Sequence, residues 1–157
     1  MLKIHDILAS HPVLAELGAE NIALLAGCAH NETFKPGEMI FREGDEAQTF
    51  HVIRRGSVSL EIHAPGRGAL CIQTLGENAV LGWSWLFPPR RWHFDARALD
   101  GVGLITMDAR CIRAKCEADH TLGYRLMQQL AQMMTERLQA TRLQLLDLYA
   151  NPGEVQR

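Results

Sequence analysis

The chain contains no run of about 18 apolar residues, so nothing in it is built to span a membrane. Its opening, Met1-Leu2-Lys3-Ile4-His5-Asp6, lacks the basic-then-apolar order of an export signal, and a cytoplasmic location is expected. An excess of charge of one sign is missing as well. Sixteen Lys and Arg stand against 18 Asp and Glu, a net charge of −2, which leaves no electrostatic footprint for nucleic acid. The pairs Arg54-Arg55 and Arg90-Arg91 are short clusters of the kind a solvated surface carries. No glycine-rich phosphate loop or dinucleotide fingerprint occurs. Cysteine is sparse: Cys28, Cys71, Cys111 and Cys116 lie at irregular intervals and read as free thiols in a reducing compartment. Cys116 and His120, one helical turn apart, find no further ligands at the spacing structural zinc requires, so no metal is expected. His93 and Asp95 alternate along a strand with no nucleophile tied to them, and no catalytic role follows.

What is present fits one domain over residues 1–157, with 47% hydrophobic residues and enough chain to bury a sizeable core. Residues 1–30 hold two short amphipathic helices, one with Val13, Leu14 and Leu17 at helical spacing, the next with Ile22, Leu24, Leu25 and Cys28. From 31 to 107 the pattern is β. A Pro36-Gly37 turn precedes a short strand at Met39–Arg42, and Thr49–Arg54 and Ser57–His63 flank Gly56. Pro65–Gly68 makes a hairpin tip before Ala69–Leu75 returns. Residues 108–149 are helical: a short helix with Asp108 as N-cap, then one unbroken helix over 121–149. That helix has about 29 residues and a length of roughly 43 Å. Its stripe runs Leu126, Leu130, Met134, Leu138, Thr141, Leu145, Leu148, and Leu122, Met127, Met133, Leu143 and Leu146 widen it. So apolar a helix needs two surfaces to lie against, the β-domain and a second copy of itself, and a homodimer is expected. Residues 150–157 form a tail.

The run Phe34-x-Pro36-Gly37-Glu38-x-x-Phe41-x-Glu43-Gly44-Asp45-x-Ala47, followed by Phe50-x-Val52-Ile53-x-x-Gly56-x-Val58, resembles the front half of the cyclic-nucleotide-binding domain of the cyclic AMP receptor protein family. The likeness extends over residues 12 to 149. It implies a mainly β fold with flanking helices (α+β): a β-roll of the double-stranded β-helix or jelly-roll type, plus a long C-terminal dimerisation helix. Gly37, Gly44 and Gly56 then sit at tight turns that need positive φ or close backbone approach. Arg137-Leu138-Gln139-Ala140-Thr141 resembles the part of the family's helix that faces the bound base, which puts Thr141 and Arg142 at the adenine edge. Arg142 departs from the small hydroxyl residue found there, and Thr141 reads equally as one more residue of a coiled-coil seam.

In that family a Gly-Glu pair opens a short ligand-holding helix and an Arg-Ser-Ala run follows. The helix N-terminus and the arginine hold the cyclic phosphate, and the glutamate accepts from the ribose hydroxyl. Here the matching stretch runs from Leu81 to Ala98. Gly82 and Ala98 anchor it, but Trp83 stands where the glutamate would be and Trp92 where the arginine would be. A hydrogen bond to a charged group contributes about 1.5–3 kcal/mol. A buried phosphate without its cation costs about 3–5 kcal/mol. At about 1.4 kcal/mol per tenfold, the two losses weaken ordinary cyclic AMP binding by more than roughly a thousandfold.

All three tryptophans, Trp83, Trp85 and Trp92, fall in this segment, and three readings stand open. The indoles fill the vacated pocket as core. Or they rebuild it, stacking on a base or nicotinamide ring while Ser84, Arg90, Arg91 and the helix N-terminus hold the phosphate, in a ligand site that runs from Gly82 to His93. Or they form a protein-docking surface. The expected function is a non-enzymatic nucleotide-sensing regulatory module, its ligand a cyclic or nicotinamide nucleotide. Only Asn151–Arg157 follow the long helix, too few for a helix-turn-helix, so output passes through a partner protein and not through DNA. Two alternatives belong beside this. One is an accessory subunit of a multi-subunit redox enzyme, since domains of this kind resemble subunits found with NAD-reducing hydrogenases. The other is a conventional cyclic-AMP regulator.

Overall fold

A computed structural model describes residues 3–150, and most of the expected tail lies outside the described residues. Three short helical pieces lead the chain: α1 (Ile4–Ala9), a single 3-10 turn (Leu14–Leu17) and α2 (Ala19–Ala26). Seven strands follow: β1 (Ala29–Phe34), β2 (Met39–Phe41), β3 (Thr49–Arg55), β4 (Val58–Ala64), β5 (Gly68–Leu75), β6 (Asp95–Ala98) and β7 (Val102–Asp108). The helices α3 (Ala109–Ala118) and α4 (His120–Ala150) close the order. The strands form two antiparallel sheets, β1-β7-β3 and β2-β6-β4-β5, so the architecture is the expected mainly β roll with flanking helices.

The core fills the space between the sheets and under the helices. Phe50, Ile53, Leu104, Ile105 and Met107 from one sheet are fully buried, as are Val58, Ala96 and Ala98 from the other. Leu14, Leu17 and Leu25 cover one end, and Ile112, Leu126 and Leu130 bring α3 and α4 onto the roll. Every residue of β7 from Val102 to Met107 is buried, because the strand is paired on both sides and covered on both faces. Gly56 turns β3 into β4 at φ +85, and a Cβ there would lie 2.4 Å from the Gly101 carbonyl oxygen. Glycine is required at that position for both reasons. Asp108 caps α3 as expected, its carboxylate accepting from the Cys111 N–H at 2.8 Å.

Four expectations need correction. His93 does not alternate with Asp95 along a strand: β6 begins at Asp95, whose carboxylate is taken by the Glu43 N–H at 2.7 Å. Cys116 and His120 do not share a helix face, because Asp119 separates α3 from α4 and caps the latter through the Thr121 and Leu122 N–H groups. The roll covers only the first half of α4. Leu122, Leu126, Leu130 and Met133 are buried, and every residue from Leu138 to Ala150 is exposed. Nor are all four cysteines free. Cys28, immediately before β1, is disulfide-bonded to Cys111 on α3, and Cys71 and Cys116 remain as thiols. The two bonded residues are 83 apart in sequence, a separation that conceals the pairing until the fold brings β1 beside α3. Breaking this link with a reductant, or by a Cys28→Ser/Cys111→Ser variant, is expected to lower the unfolding free energy by about 2–4 kcal/mol. Denaturant titration of oxidised and reduced protein measures it. Coincident curves would show that the link contributes nothing.

Candidate functional site

The segment from Gly82 to Phe94 lies between β5 and β6 and folds into a sequence of turns instead of a regular helix. Its C-terminal end is held by the Gly44-Asp45-x-Ala47 motif. The Ala47 N–H donates to the Arg90 carbonyl at 2.8 Å, the Trp92 N–H to Asp45 at 3.0 Å, and the Gly44 N–H to Trp92 at 2.9 Å. The Arg91 guanidinium donates back to the Gly44 carbonyl at 2.9 Å. Glycine-turn residues read as β-roll punctuation thus fix the position of the segment that carries the indoles.

The three tryptophans separate. Trp92 is 3% exposed and stacks on Phe41, ring centroids 3.9 Å apart and planes within 7°. Beside this pair lies His51, buried and bridged between the Thr49 and Thr106 hydroxyls at 2.7 and 3.1 Å. Burial, with a smaller push from His30, lowers the His51 pKa to about 4, so the ring is neutral in this apolar stack. Trp85 is fully buried with its ring 5.0 Å from Phe50. Both rings pack in the core, and neither lines the cavity that Trp83 borders, so the structure does not bring them to the site expected for all three indoles. Trp83 is different. It is half-buried, its indole N–H has no partner, and the Arg137 guanidinium of α4 lies over its ring at 4.3 Å.

Trp83 forms one wall of an open cavity of about 230 Å³. Gly82, Ser84, Arg90, Arg91 and His93 line it as well, so six of the ten expected residues come together. Phe87, Pro88, Pro89 and Phe94 complete an otherwise apolar lining. Gly82 is tightly placed, since a Cβ there would come within 3.2 Å of both Phe94 and Trp92. The Arg90 Nε is buried without an acceptor. Thr141 and Arg142 are not brought to this cavity. Both are exposed beyond the point where α4 leaves the roll, and the Thr141 hydroxyl donates to the Arg137 carbonyl at 2.9 Å.

Arg137, which belongs to the stretch that resembles the family's base-facing helix but was not among the expected site residues, reaches the cavity wall. It donates through Nη2 to the Val80 carbonyl and stacks on Trp83 without a carboxylate partner among the described residues. Burial lowers its pKa to about 10, so it remains a cation at neutral pH. A cation over an indole in a partly desolvated place contributes about 1–2 kcal/mol. The only signal available was its position one turn before Thr141. Between the 3-10 turn and α4 lies a second open cavity, about 320 Å³, also bordered by Arg137 and by His11. His11 is pinned there: its Nδ1 accepts from the Val13 and Leu14 N–H groups at 3.1 Å, so Nε2–H donates to the Asn78 carbonyl at 2.8 Å.

Two antiparallel sheets wrapped by terminal helices thus carry a cavity on the turn segment between the fifth and sixth strands. The family model for the cyclic nucleotide-binding domain matches residues 31–119, more than half of the chain, and the chain belongs to that family. Among solved structures it is similar to a cyclic nucleotide-binding domain from Methylobacillus flagellatus (TM-score 0.78, 16% identity, 92% of this chain and 82% of that one). It is similar to the N-terminal domain of a transcriptional regulator from Streptomyces coelicolor (TM-score 0.70, 23% identity, 86% and 94%). A third is the regulatory domain of Toxoplasma gondii PKA, crystallised with cAMP (TM-score 0.70, 16% identity, 85% of this chain and 49% of that one). At these identities the likeness is one of fold. No helix among the described residues is long and apolar enough to cross a membrane.

Proposed function

We propose that the chain is a non-enzymatic, homodimeric sensor of an anionic nucleotide, which enters the cavity at Gly82–Phe94 and is reported to α4 through Trp83 and Arg137. The Arg137 guanidinium over the Trp83 ring carries this reading, because it is the contact that joins the cavity wall to the long helix. Membership of the cyclic nucleotide-binding domain family supports a nucleotide, as does the cAMP in the Toxoplasma relative. The chemistry of the wall supports an anion: Arg90 has an unmet N–H, with Arg91, Ser84 and His93 beside it. The apolar faces of Trp83, Phe87 and Phe94 suit a sugar or ring. At about 230 Å³ the cavity falls below the roughly 300 Å³ at which pockets for whole small molecules begin, so it takes the phosphate-bearing end of the ligand. A ligand that touches Trp83 changes what Arg137 gains by stacking there, and it shifts α4 by that difference in affinity. The exposed half of α4 is the dimer seam and the surface from which a partner protein reads the state.

Tryptophan fluorescence and calorimetry, titrated with cyclic AMP, cyclic GMP, NADPH and NADP, test the site. One of these is expected to give a saturable signal that is lost in Trp83→Phe, with the calorimetric affinity of that variant about tenfold weaker, the loss of about 1.4 kcal/mol. A flat response to all four in both measurements would sink the reading and favour a subunit that carries no ligand.

A further inference from the structure

A cavity of about 310 Å³ lies on the other side of the same segment, between it, α3 and the start of α4. Arg90 borders this cavity as well as the one described above, whereas Trp85 and Arg113 border this one and not the Trp83 cavity. We propose that it is a second binding site, for a small molecule bearing a single phosphate, held by the Trp85 indole N–H, Arg90 and Arg113.

The polar groups at one end of the cavity are donors. Trp85 is 0% exposed, yet its indole N–H has no acceptor, and the Arg90 Nε is buried without one either. Each such unmet group costs about 1–3 kcal/mol unless something accepts from it. An indole and guanidinium groups have nothing to accept with, so the group that meets them must accept, and beside two guanidinium cations the acceptor that charge favours is an anion. The Arg90 backbone is held at φ +54, a conformation that non-glycine residues seldom adopt, by the Ala47 N–H on its carbonyl and its own N–H on the Phe87 carbonyl at 2.8 Å. Its side chain is therefore anchored between the two cavities by the β-roll itself.

Charge points the same way. Arg113 donates through Nη1 to the Trp85 carbonyl at 2.7 Å and has no carboxylate within ion-pair distance among the described residues. Burial, then the charges of Arg90 and Arg110, lower its pKa, and Asp108 opposes them only in part. Arg110 and Arg113 also border a neighbouring cavity of about 250 Å³, so cationic groups continue along α3. A bidentate guanidinium with a second cation beside it is the usual complement of a phosphate. One turn further along α3 the sign reverses. Glu117 lines the cavity there, and burial, Glu117 and Asp119 raise the Cys116 thiol. A second anionic group would be repelled at that end, which limits the ligand to one phosphate, with Leu86, Ile112 and Met127 offering an apolar wall to whatever it is esterified to.

The test uses the indole N–H resonance of Trp85 in the full chain, assigned through its contact with Phe50, with inorganic phosphate as the probe and chloride at matched ionic strength as control. The resonance is expected to move saturably with phosphate and not with chloride. Arg113→Gln is expected to raise the half-saturation concentration at least tenfold, and Arg113→Lys to restore part of it. No saturable movement, or one that is unchanged in Arg113→Gln, overturns the site. Ribose 5-phosphate binding more tightly than phosphate identifies an ester as the occupant, the reverse identifies the free ion, and both uphold the site. Arg90 borders both cavities but Arg113 does not line the Trp83 cavity, so Arg113→Gln tells the two sites apart: nucleotide titration of that variant is expected to stay as in the unaltered chain while phosphate binding weakens.

Discussion

Trp92→Ala is expected to lower the unfolding free energy by about 3–5 kcal/mol, and Trp83→Ala by no more than about 1–2 kcal/mol. The two residues stand nine apart in one aromatic segment, and composition does not distinguish them. Their surroundings do. Removing Trp92 empties the space beside Phe41, whose ring it covers at 3.9 Å, and leaves neutral His51 facing a void. The roll cannot collapse into that space, because β2 and β6 are held by the sheet and Ala98 donates to Glu38 at 2.9 Å across it. Trp83 gives up one cation–π contact and a half-exposed face, and water takes the space. Chemical denaturation of both variants gives the comparison. Equal losses would mean that Trp83 is also core and that the cavity beside it has no separate role.

The second large effect lies on α4. Leu138, Leu143, Leu145, Leu146, Leu148 and Tyr149 are between 48% and 84% exposed, a concentration of apolar surface that a lone chain leaves in water. Paired against a second copy, these side chains gain about 25 cal/mol for each Å² of apolar area removed from solvent. Leu138→Glu with Leu145→Glu places four carboxylates in that seam and is expected to raise the dimer dissociation constant at least a hundredfold, measured by sedimentation equilibrium. The roll itself is not touched, because neither residue packs on it. A variant that stays dimeric would place the seam elsewhere on the molecule.

The fold was legible where turns punctuate it. Gly37, Gly44 and Gly56 all adopt φ between 85 and 89, and the strands between them fall where alternation and turn residues indicate. The β7 strand was not legible, because a strand covered on both faces has no alternation to show, and its Gly103 and Thr106 blur the apolar run. Helix α1 has six residues and no capping side chain, too little periodic signal to register. At the site, sequence indicated the segment but not the side of it that each indole takes, which is decided by Phe41 and Phe50 arriving from β2 and β3. Arg137 stood in the stretch that resembles the base-facing helix, but its contact with the indole was not legible, because an arginine on an amphipathic helix looks like any solvated one until Val80 and Trp83 enclose it. The Cys28–Cys111 link was hidden for the same reason: proximity in space belongs to the fold.

The covalent tie between β1 and α3 also settles which part of the C-terminal region is able to swing. With α3 stapled at Cys111 and Leu122, Leu126, Leu130 and Met133 of α4 packed on the roll, bending is left to the exposed stretch from Leu138 to Ala150, with Arg137 at its base. At 1.5 Å per residue that stretch is about 20 Å long, so a tilt of about 10° at Arg137 carries the distal tip through roughly 3 Å.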